Sequence, residues 1–279
     1  MNEAGDQPDA ARRRIADVIA RTLEDGAVAV LATLVASTTP EHTGAKLLVN
    51  SSGEGAAGGT GDAALDTEIA RRAMAFLNSR AEAQTLNVEE FAPQLARAWG
   101  ASRVMFERIE REPRIVVCGA GHVGAALARL AHAVGYRVTL IDDRADFVTR
   151  ARFPETEIEL VVALEGWESA VQTALGGGRG AYVAVVTRGH NEDEECMRAA
   201  VAARPDYVGM IGSRRRTNIV LERLRESGVG AEMLREVRAP IGLDIGAVSP
   251  EEVALAVLAE IVAVRRGGSG NPLSEWRRQ

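Results

Sequence analysis

Residues 114–124 read RIVVCGAGHVG, an apolar run that stops at three glycines, Gly119, Gly121 and Gly124, and continues into an Ala-rich segment. A strand, a glycine turn and a helix in that order leave a chain few folds to choose from. Gly119 permits the tight turn, Gly121 lets backbone approach a pyrophosphate, and Gly124 lets the helix pack close to its strand. The helix start supplies unpaired N–H groups and a partial positive charge, a combination that attracts anions. The next strand, RVTLI, ends at Asp142 and Asp143, and Asp142 lies 23 residues beyond Gly119. From there an acid accepts hydrogen bonds from ribose hydroxyls. The expectation is a Rossmann-type domain whose loop holds a nucleotide-like ligand. The competing reading is a scaffold whose glycines serve only the turn.

The rest of the second half supports the first expectation. Val/Ile-rich strands are expected at residues 114–118, 137–141, 158–163, 182–186 and 207–211, with helices between them. Such an alternation predicts a parallel sheet covered on both faces. A last helix is expected over residues 250–265, with Ser249 as N-cap, Pro250 at the first position and Glu251 and Glu252 in the first turn. Beyond residue 267 a frayed tail is expected.

The first half reads differently. An amphipathic helix over residues 11–23 carries Ile15, Val18, Ile19 and Leu23 on one side. Strands follow at 27–35 and 46–49, separated by a loop with Pro40. Residues 51–61 form a Gly/Ser-rich stretch. A helix over 63–78 presents Leu65, Ile69, Ala73, Phe76 and Leu77, and a short helix near 88–98 and a strand at 103–109 complete this half. Glu110-Arg-Glu-Pro113 is a polar hinge, which divides the chain into domains of residues 1–112 and 113–279. The fold class is therefore α/β, a C-terminal Rossmann-like parallel-sheet domain with a smaller N-terminal α/β domain.

Composition narrows the function. With 33 basic and 39 acidic residues the net charge is −6, a poor basis for binding nucleic acid. Two cysteines, Cys118 and Cys196, make no disulfide framework. No apolar stretch approaches the roughly 20 residues of a membrane helix, and residues 1–11 lack a signal peptide's order. A cytoplasmic protein without membrane or nucleic-acid partners is expected. His42, His122, His132 and His190 are scattered and no HxH, HExxH or CxxC spacing occurs, so no metal site is expected. No G-x-S-x-G elbow suggests a hydrolase. Of the 33 basic residues only Lys46 is a lysine. It is either kept for its chemistry or an accident of compositional bias.

Several further residues fall where an open α/β sheet collects ligands, outside the C-terminal ends of its strands. His122 lies in the glycine loop and either meets a ligand or faces solvent. Cys118, just before it, is either a small core residue or a thiol made reactive by the helix terminus. His190 follows the 182–186 strand in Thr187-Arg-Gly-His-Asn-Glu-Asp193, a loop that either meets a ligand or only starts a helix. Arg214 opens the helix after Gly212-Ser213. Cations are unfavourable at a helix start, which suggests an anion nearby; the alternative is a solvated basic face. Asp244 sits between glycines in Pro240-Ile-Gly-Leu-Asp-Ile-Gly246, either closing over a ligand or packing only.

Taken in order, VVCGAGHVGAALARLA, VTLIDDR, VTRGHNEDEE, YVGMIGSRRR, PIGLDIGA and SPEEVALAVLAEI resemble the xanthine dehydrogenase accessory protein family, the XdhC/CoxI-like group. ALATLVASTTPEHTGAKLLV extends the resemblance into the N-terminal half. The resemblance implies a maturation factor that binds, protects and delivers sulfurated molybdenum cofactor to a xanthine dehydrogenase or CO dehydrogenase type enzyme. It implies as cofactor molybdopterin or its dinucleotide form. As partners it implies a second copy in a homodimer, a cysteine desulfurase and the apo-molybdoenzyme large subunit. The phosphate loop at Gly119, Gly121 and Gly124 suits the cofactor's phosphate, Asp142 its ribose or pterin amine groups, and Lys46, Arg188 and Arg214 are candidate anion contacts. The sequence departs from the family where a Gly-Gly-Gly-Cys segment is usual: Gly61 stands opposite the cysteine.

Two alternatives remain open. An NAD(P)-dependent oxidoreductase would use the same loop, with Asp142 favouring NAD over NADP, but the sequence offers no evident acid/base partner. A nucleotide-sensing Rossmann protein would instead change a partner's assembly on binding.

Overall fold

A computed structural model describes residues 7–79, 81–176, 178 and 180–274. The chain divides into two compact units, Met1–Arg111 and Glu112–Gln279. Expectations for the extreme N-terminus and for residues 275–279 of the tail lie outside the described residues.

The N-terminal unit is built on a five-stranded antiparallel sheet, β1 (Ala29–Ala36), β2 (Lys46–Asn50), β3 (Gly55–Gly59), β4 (Ala83–Asn87) and β5 (Arg103–Ile109), in the order β3-β2-β1-β5-β4. Alternation along β1 sends Val30, Ala32 and Leu34 to one face, where they meet Leu65, Ile69, Ala73 and Phe76 of helix α2 (Ala63–Leu77). Ala29 and Leu31 go to the other face, against Ile15, Val18 and Ile19 of α1 (Gln7–Glu24). Three features differ from the sequence expectations, which contain no strand at β4; it forms by pairing with β5. The Gly/Ser-rich stretch contains a strand, β3, paired with β2, because the sheet can supply the backbone partners that local propensity does not favour. The helix expected near 88–98 is broken into α3 (Val88–Phe91), a 3-10 turn Pro93–Leu95 and α4 (Ala96–Trp99). Pro93 cannot donate a helical N–H and constrains Ala92 before it.

The C-terminal unit is a five-stranded parallel sheet, β6 (Arg114–Cys118), β7 (Arg137–Asp142), β8 (Ile158–Val162), β9 (Ala181–Val185) and β10 (Tyr207–Met210), in the order β10-β9-β6-β7-β8. Each β6 residue alternates between two cores. Ile115 and Val117 pack against α5 (His122–Ala133) and α10 (Pro250–Arg266). Val116 and Cys118 pack against α6 (Trp167–Leu175), α7 (His190–Ala203) and α8 (Arg214–Glu226). Strand order reverses between β6 and β9, so a crevice opens there at the C-terminal edge. Helix α10 begins as its sequence suggests: Ser249 Oγ accepts from Glu252 N while Glu252 reaches back to Ser249 N, a capping box.

A short helix, α9 (Ala231–Glu236), leads to the 240–246 loop. The Tyr207 hydroxyl donates to Glu260 Oε2 at 2.6 Å and Gly242 N donates to the same oxygen at 2.8 Å. Burial, then the Glu260 carboxylate, pushes the tyrosine far above its ordinary range. One acidic oxygen thus fastens strand, helix and loop. Among the described residues no helix is long and apolar enough to cross a membrane. Replacing Ser249 by Ala is expected to cost about 1 kcal/mol. Glu260→Ala, which strips an acceptor from two donors, is expected to cost about 1–3 kcal/mol. Both are read as shifts of the urea midpoint.

Candidate functional site at the edge of the parallel sheet

The turn after β6 is held by backbone packing. Gly119 has φ +111°, and a Cβ there would stand 2.7 Å from Val186 O. A Cβ on Gly124 would lie 1.8 Å from Gly119 O. Both positions therefore exclude a side chain so that α5 can sit against β6 and β9. Gly121 is different: a Cβ there would meet nothing within 4 Å. Its absent side chain leaves open space in front of the first turn of α5, whose leading amides have no acceptor inside the helix. The helix start carries no acidic residue and His122 is exposed.

Asp142 ends β7 and is 1% exposed. Its Oδ2 accepts from Ala120 N at 2.7 Å and Arg144 Nη2 at 2.9 Å, and its Oδ1 accepts from Arg144 N at 3.0 Å and Arg144 Nε at 2.8 Å. Burial alone would raise this carboxyl, but the Arg144 guanidinium and the two amides outweigh it and hold it below the ordinary value. Asp142 therefore orders the glycine loop through Ala120, and its acceptor capacity is already filled. The expectation that it favours NAD over NADP needed a free carboxylate. The signal for its capture, Arg144 two residues on, was present in the sequence.

Two other ion pairs bind neighbouring loops. Arg188 after β9 pairs with Asp143 after β7, Nη2 to Oδ2 at 2.8 Å. Asp193, 0% exposed in the first turn of α7, accepts from Arg216 Nε at 2.7 Å and from the Thr187 hydroxyl at 2.5 Å. Burial pushes the Asp193 carboxyl upward, against the Thr187 and Arg216 bonds that favour its charged form. This accounts for one of the arginines at the start of α8: Arg216 is the partner of a buried acid on the preceding helix, α7. Arg214 remains exposed, as do His190 and Asp244.

The sheet edge thus brings together the loops bearing Gly119, Gly121, His122, Gly124 and Asp142 with those of His190 and Arg214. Lys46 lies in the N-terminal unit, where Nζ donates to Thr33 Oγ1 at 2.9 Å. In that unit Gly61 has φ +88°, with the His42 ring 3.5 Å from where a Cβ would be. His42 Nδ1 bonds Thr60 O at 2.8 Å. Asp62 caps α2 and accepts from Trp99 Nε1 at 2.9 Å. The thiols of Cys118 and Cys196 are both buried, and burial with the neighbouring Cys118 pushes the Cys196 thiol well up. Neither is a surface nucleophile. Sequence reasoning missed Arg152: its Nη2 donates to Ala120 O at 3.3 Å, inside the glycine motif. It stands 32 residues from Ala120 in a loop, with no local pattern to mark it.

A parallel sheet in this order, with a glycine turn at its reversal point and an uncapped helix start beyond, defines a Rossmann-type domain. Residues 115–261 match the XdhC Rossmann domain, and residues 22–89 match the XdhC and CoxI family. The chain belongs to that family. It is 32% identical over 171 residues to the uncharacterised protein YqeB of Escherichia coli (strain K12), covering 61% of this chain and 31% of that one. It is 30% identical over 165 residues to a probable xanthine dehydrogenase subunit of Bacillus subtilis (strain 168), covering 59% and 47%. Over 75 residues it is 37% identical to the molybdenum cofactor insertion chaperone PaoD of Escherichia coli (strain K12), covering 27% and 24%. The matched segments therefore span less than half the length of each of these relatives.

The glycines separate architecture from ligand binding. Gly124→Ala is expected to destabilise the C-terminal unit, because Gly119 O cannot recede from 1.8 Å without moving the turn. Gly121→Ala is expected to leave the unfolding midpoint within about 0.5 kcal/mol while weakening any ligand held by the loop. Circular dichroism melts and a binding titration read the two apart. Asp142 adds a pH dependence. Its folded value lies below the ordinary 3.8, so its stabilising contribution is complete above that pH and is lost as pH falls through the folded value. An Asp142→Asn variant is expected to lose less stability than the parent on acidification below pH 3.8, measured by urea unfolding at stepped pH.

Proposed function

We propose that the chain is a molybdoenzyme maturation factor: it binds molybdenum cofactor at the sheet edge, shields it, and delivers it to the apo-molybdoenzyme large subunit of a xanthine dehydrogenase or CO dehydrogenase type enzyme. The observation that carries this reading is the open cradle at Gly121 facing an unpaired helix start, in a chain of the XdhC and CoxI family. The cofactor is cargo here, and the donor set suits it. Its phosphate finds amide N–H groups at α5 and the exposed side chains of His122, His190 and Arg214 within the loops of one edge. The name of PaoD, a molybdenum cofactor insertion chaperone, supports the same direction.

Delivery of cofactor already carrying its sulfur suits this chain better than sulfur transfer through its own thiols. Cys118 and Cys196 are buried, and Gly61 stands where the family commonly has cysteine. A cysteine desulfurase would then act on the bound cofactor, with the protein as holder. Action in the cytoplasm as a homodimer completes the reading. An oxidoreductase using NAD finds less support, because Asp142 is occupied.

An anaerobic titration of the purified chain with molybdenum cofactor tests it. Saturable binding is expected, weakened at least about tenfold by Gly121→Ala and slowing aerobic loss of the cofactor's activity toward an apo-enzyme. No binding, or binding without protection, would sink the proposal.

A further inference from the structure

Asp142 occupies the place from which a dinucleotide-binding sheet grips a ribose diol. A carboxylate accommodates about four hydrogen bonds. Here four donors already fill it, Ala120 N, Arg144 N, Arg144 Nε and Arg144 Nη2. A sugar hydroxyl arriving there finds no acceptor. It finds Arg144 instead, with a side chain 34% exposed. A guanidinium has five N–H donors in a planar fork, and the edge formed by Nε and Nη2 is turned to Asp142. The other edge, with Nη1, carries no hydrogen bond among the described residues.

Arg152 reaches the same loop and the same ring, Ala120 and Phe147. Its Nη1 donates to Phe147 O at 2.9 Å and its Nη2 to Ala120 O at 3.3 Å. Carbonyls position this cation without neutralising it, and among the described residues no carboxylate pairs with it. Both guanidiniums stack on Phe147, Arg144 at 3.5 Å and Arg152 at 4.6 Å from the ring centroid. Stacking fixes an arginine's plane and leaves its N–H edge available. The place is therefore rich in oriented donors: Asp142 has no acceptor to spare, and Asp143, whose Oδ1 stands 3.8 Å from Arg144 Nε, is already paired with Arg188. A ribose diol needs the acceptor. A phosphate monoester, with a charge of about −1.5 to −2 and three acceptor oxygens, needs the donors.

Building on the cofactor reading above, we infer that Arg144 and Arg152, stacked on Phe147, form a phosphate monoester subsite beside the glycine loop and close that place to an unphosphorylated ribose. With the cofactor's own phosphate at the α5 amides, the nucleotide-extended form would bring an unphosphorylated ribose to this place, so the chain takes molybdopterin with its phosphate free in preference. Among nicotinamide dinucleotides it takes the form with a 2′-phosphate.

The test measures anaerobic affinities of the full chain for two matched pairs: molybdopterin cofactor with and without the nucleotide extension, and NADPH against NADH. The monoester-bearing member of each pair that binds is expected to be at least about tenfold tighter. Arg152→Gln, which breaks no ion pair, is expected to remove most of that preference with the fold intact. Arg144→Gln takes the charged partner from buried Asp142 and is expected to lower the urea midpoint as well as the preference, so Arg152→Gln carries the test. Equal affinities, a preference for the other member, or a preference untouched by Arg152→Gln would overturn the subsite. Failure of both cofactor forms to bind would sink the cofactor reading alone, and the NADPH and NADH pair would still decide the subsite. Binding of none of the four would overturn both.

Discussion

The close approach of backbone to backbone at the reversal of strand order supports the rest of the C-terminal unit. Gly119 lies against Val186 O, and Gly124 lies against Gly119 O, at distances no Cβ tolerates. This contact lets α5 start directly above β6 and lets the β6 and β9 loops diverge. The crevice, the unpaired amides and the edge that gathers the other loops all follow from it. Gly121, between them, is different: a Cβ there would meet nothing within 4 Å.

Around this point the edge is organised by cross-loop ion pairs. Arg144 on Asp142, Arg188 on Asp143 and Arg216 on Asp193 each join a cation to an acid, and the latter two span neighbouring loops. Asp142 and Asp193 are almost fully buried, and a buried charge without its partner is strongly unfavourable. These pairs therefore hold the loops in register before any ligand arrives. What they leave over are the cations Arg152 and Arg214 and the imidazoles of His122 and His190, in a protein whose net charge is −6. The local balance at the edge, rather than the global one, sets which ligand is attracted.

Much of the site was legible along the chain because its signals are local. The glycine spacing, the strand ending in Asp142, and the box at Ser249 and Glu252 each depend on neighbours within one turn or one loop. The capture of Asp142 was legible only in part: Arg144 stands two residues on, but the bond from Ala120 closes across 22 residues. Arg152 escaped for the same reason, and Arg216 could be read only as part of a basic helix start until Asp193 appeared beneath it. In the N-terminal unit, β3 was hidden because a glycine-rich strand has no hydrophobic period. It exists through pairing with β2.

The sequence by itself determined the architecture of the C-terminal unit, the family to which the chain belongs and the glycine turn at the start of α5. Periodicity and glycine geometry are properties of consecutive residues. The tertiary structure alone decided which charged groups remain available, because that depends on partners brought together from distant loops. Asp142 moved from ligand acceptor to loop anchor, and Arg144 and Arg152 took its place at the surface. Lys46, singled out by its rarity, proved to be bonded to Thr33 across a strand pair. Composition says how often a residue occurs, and only packing says what its side chain can still reach.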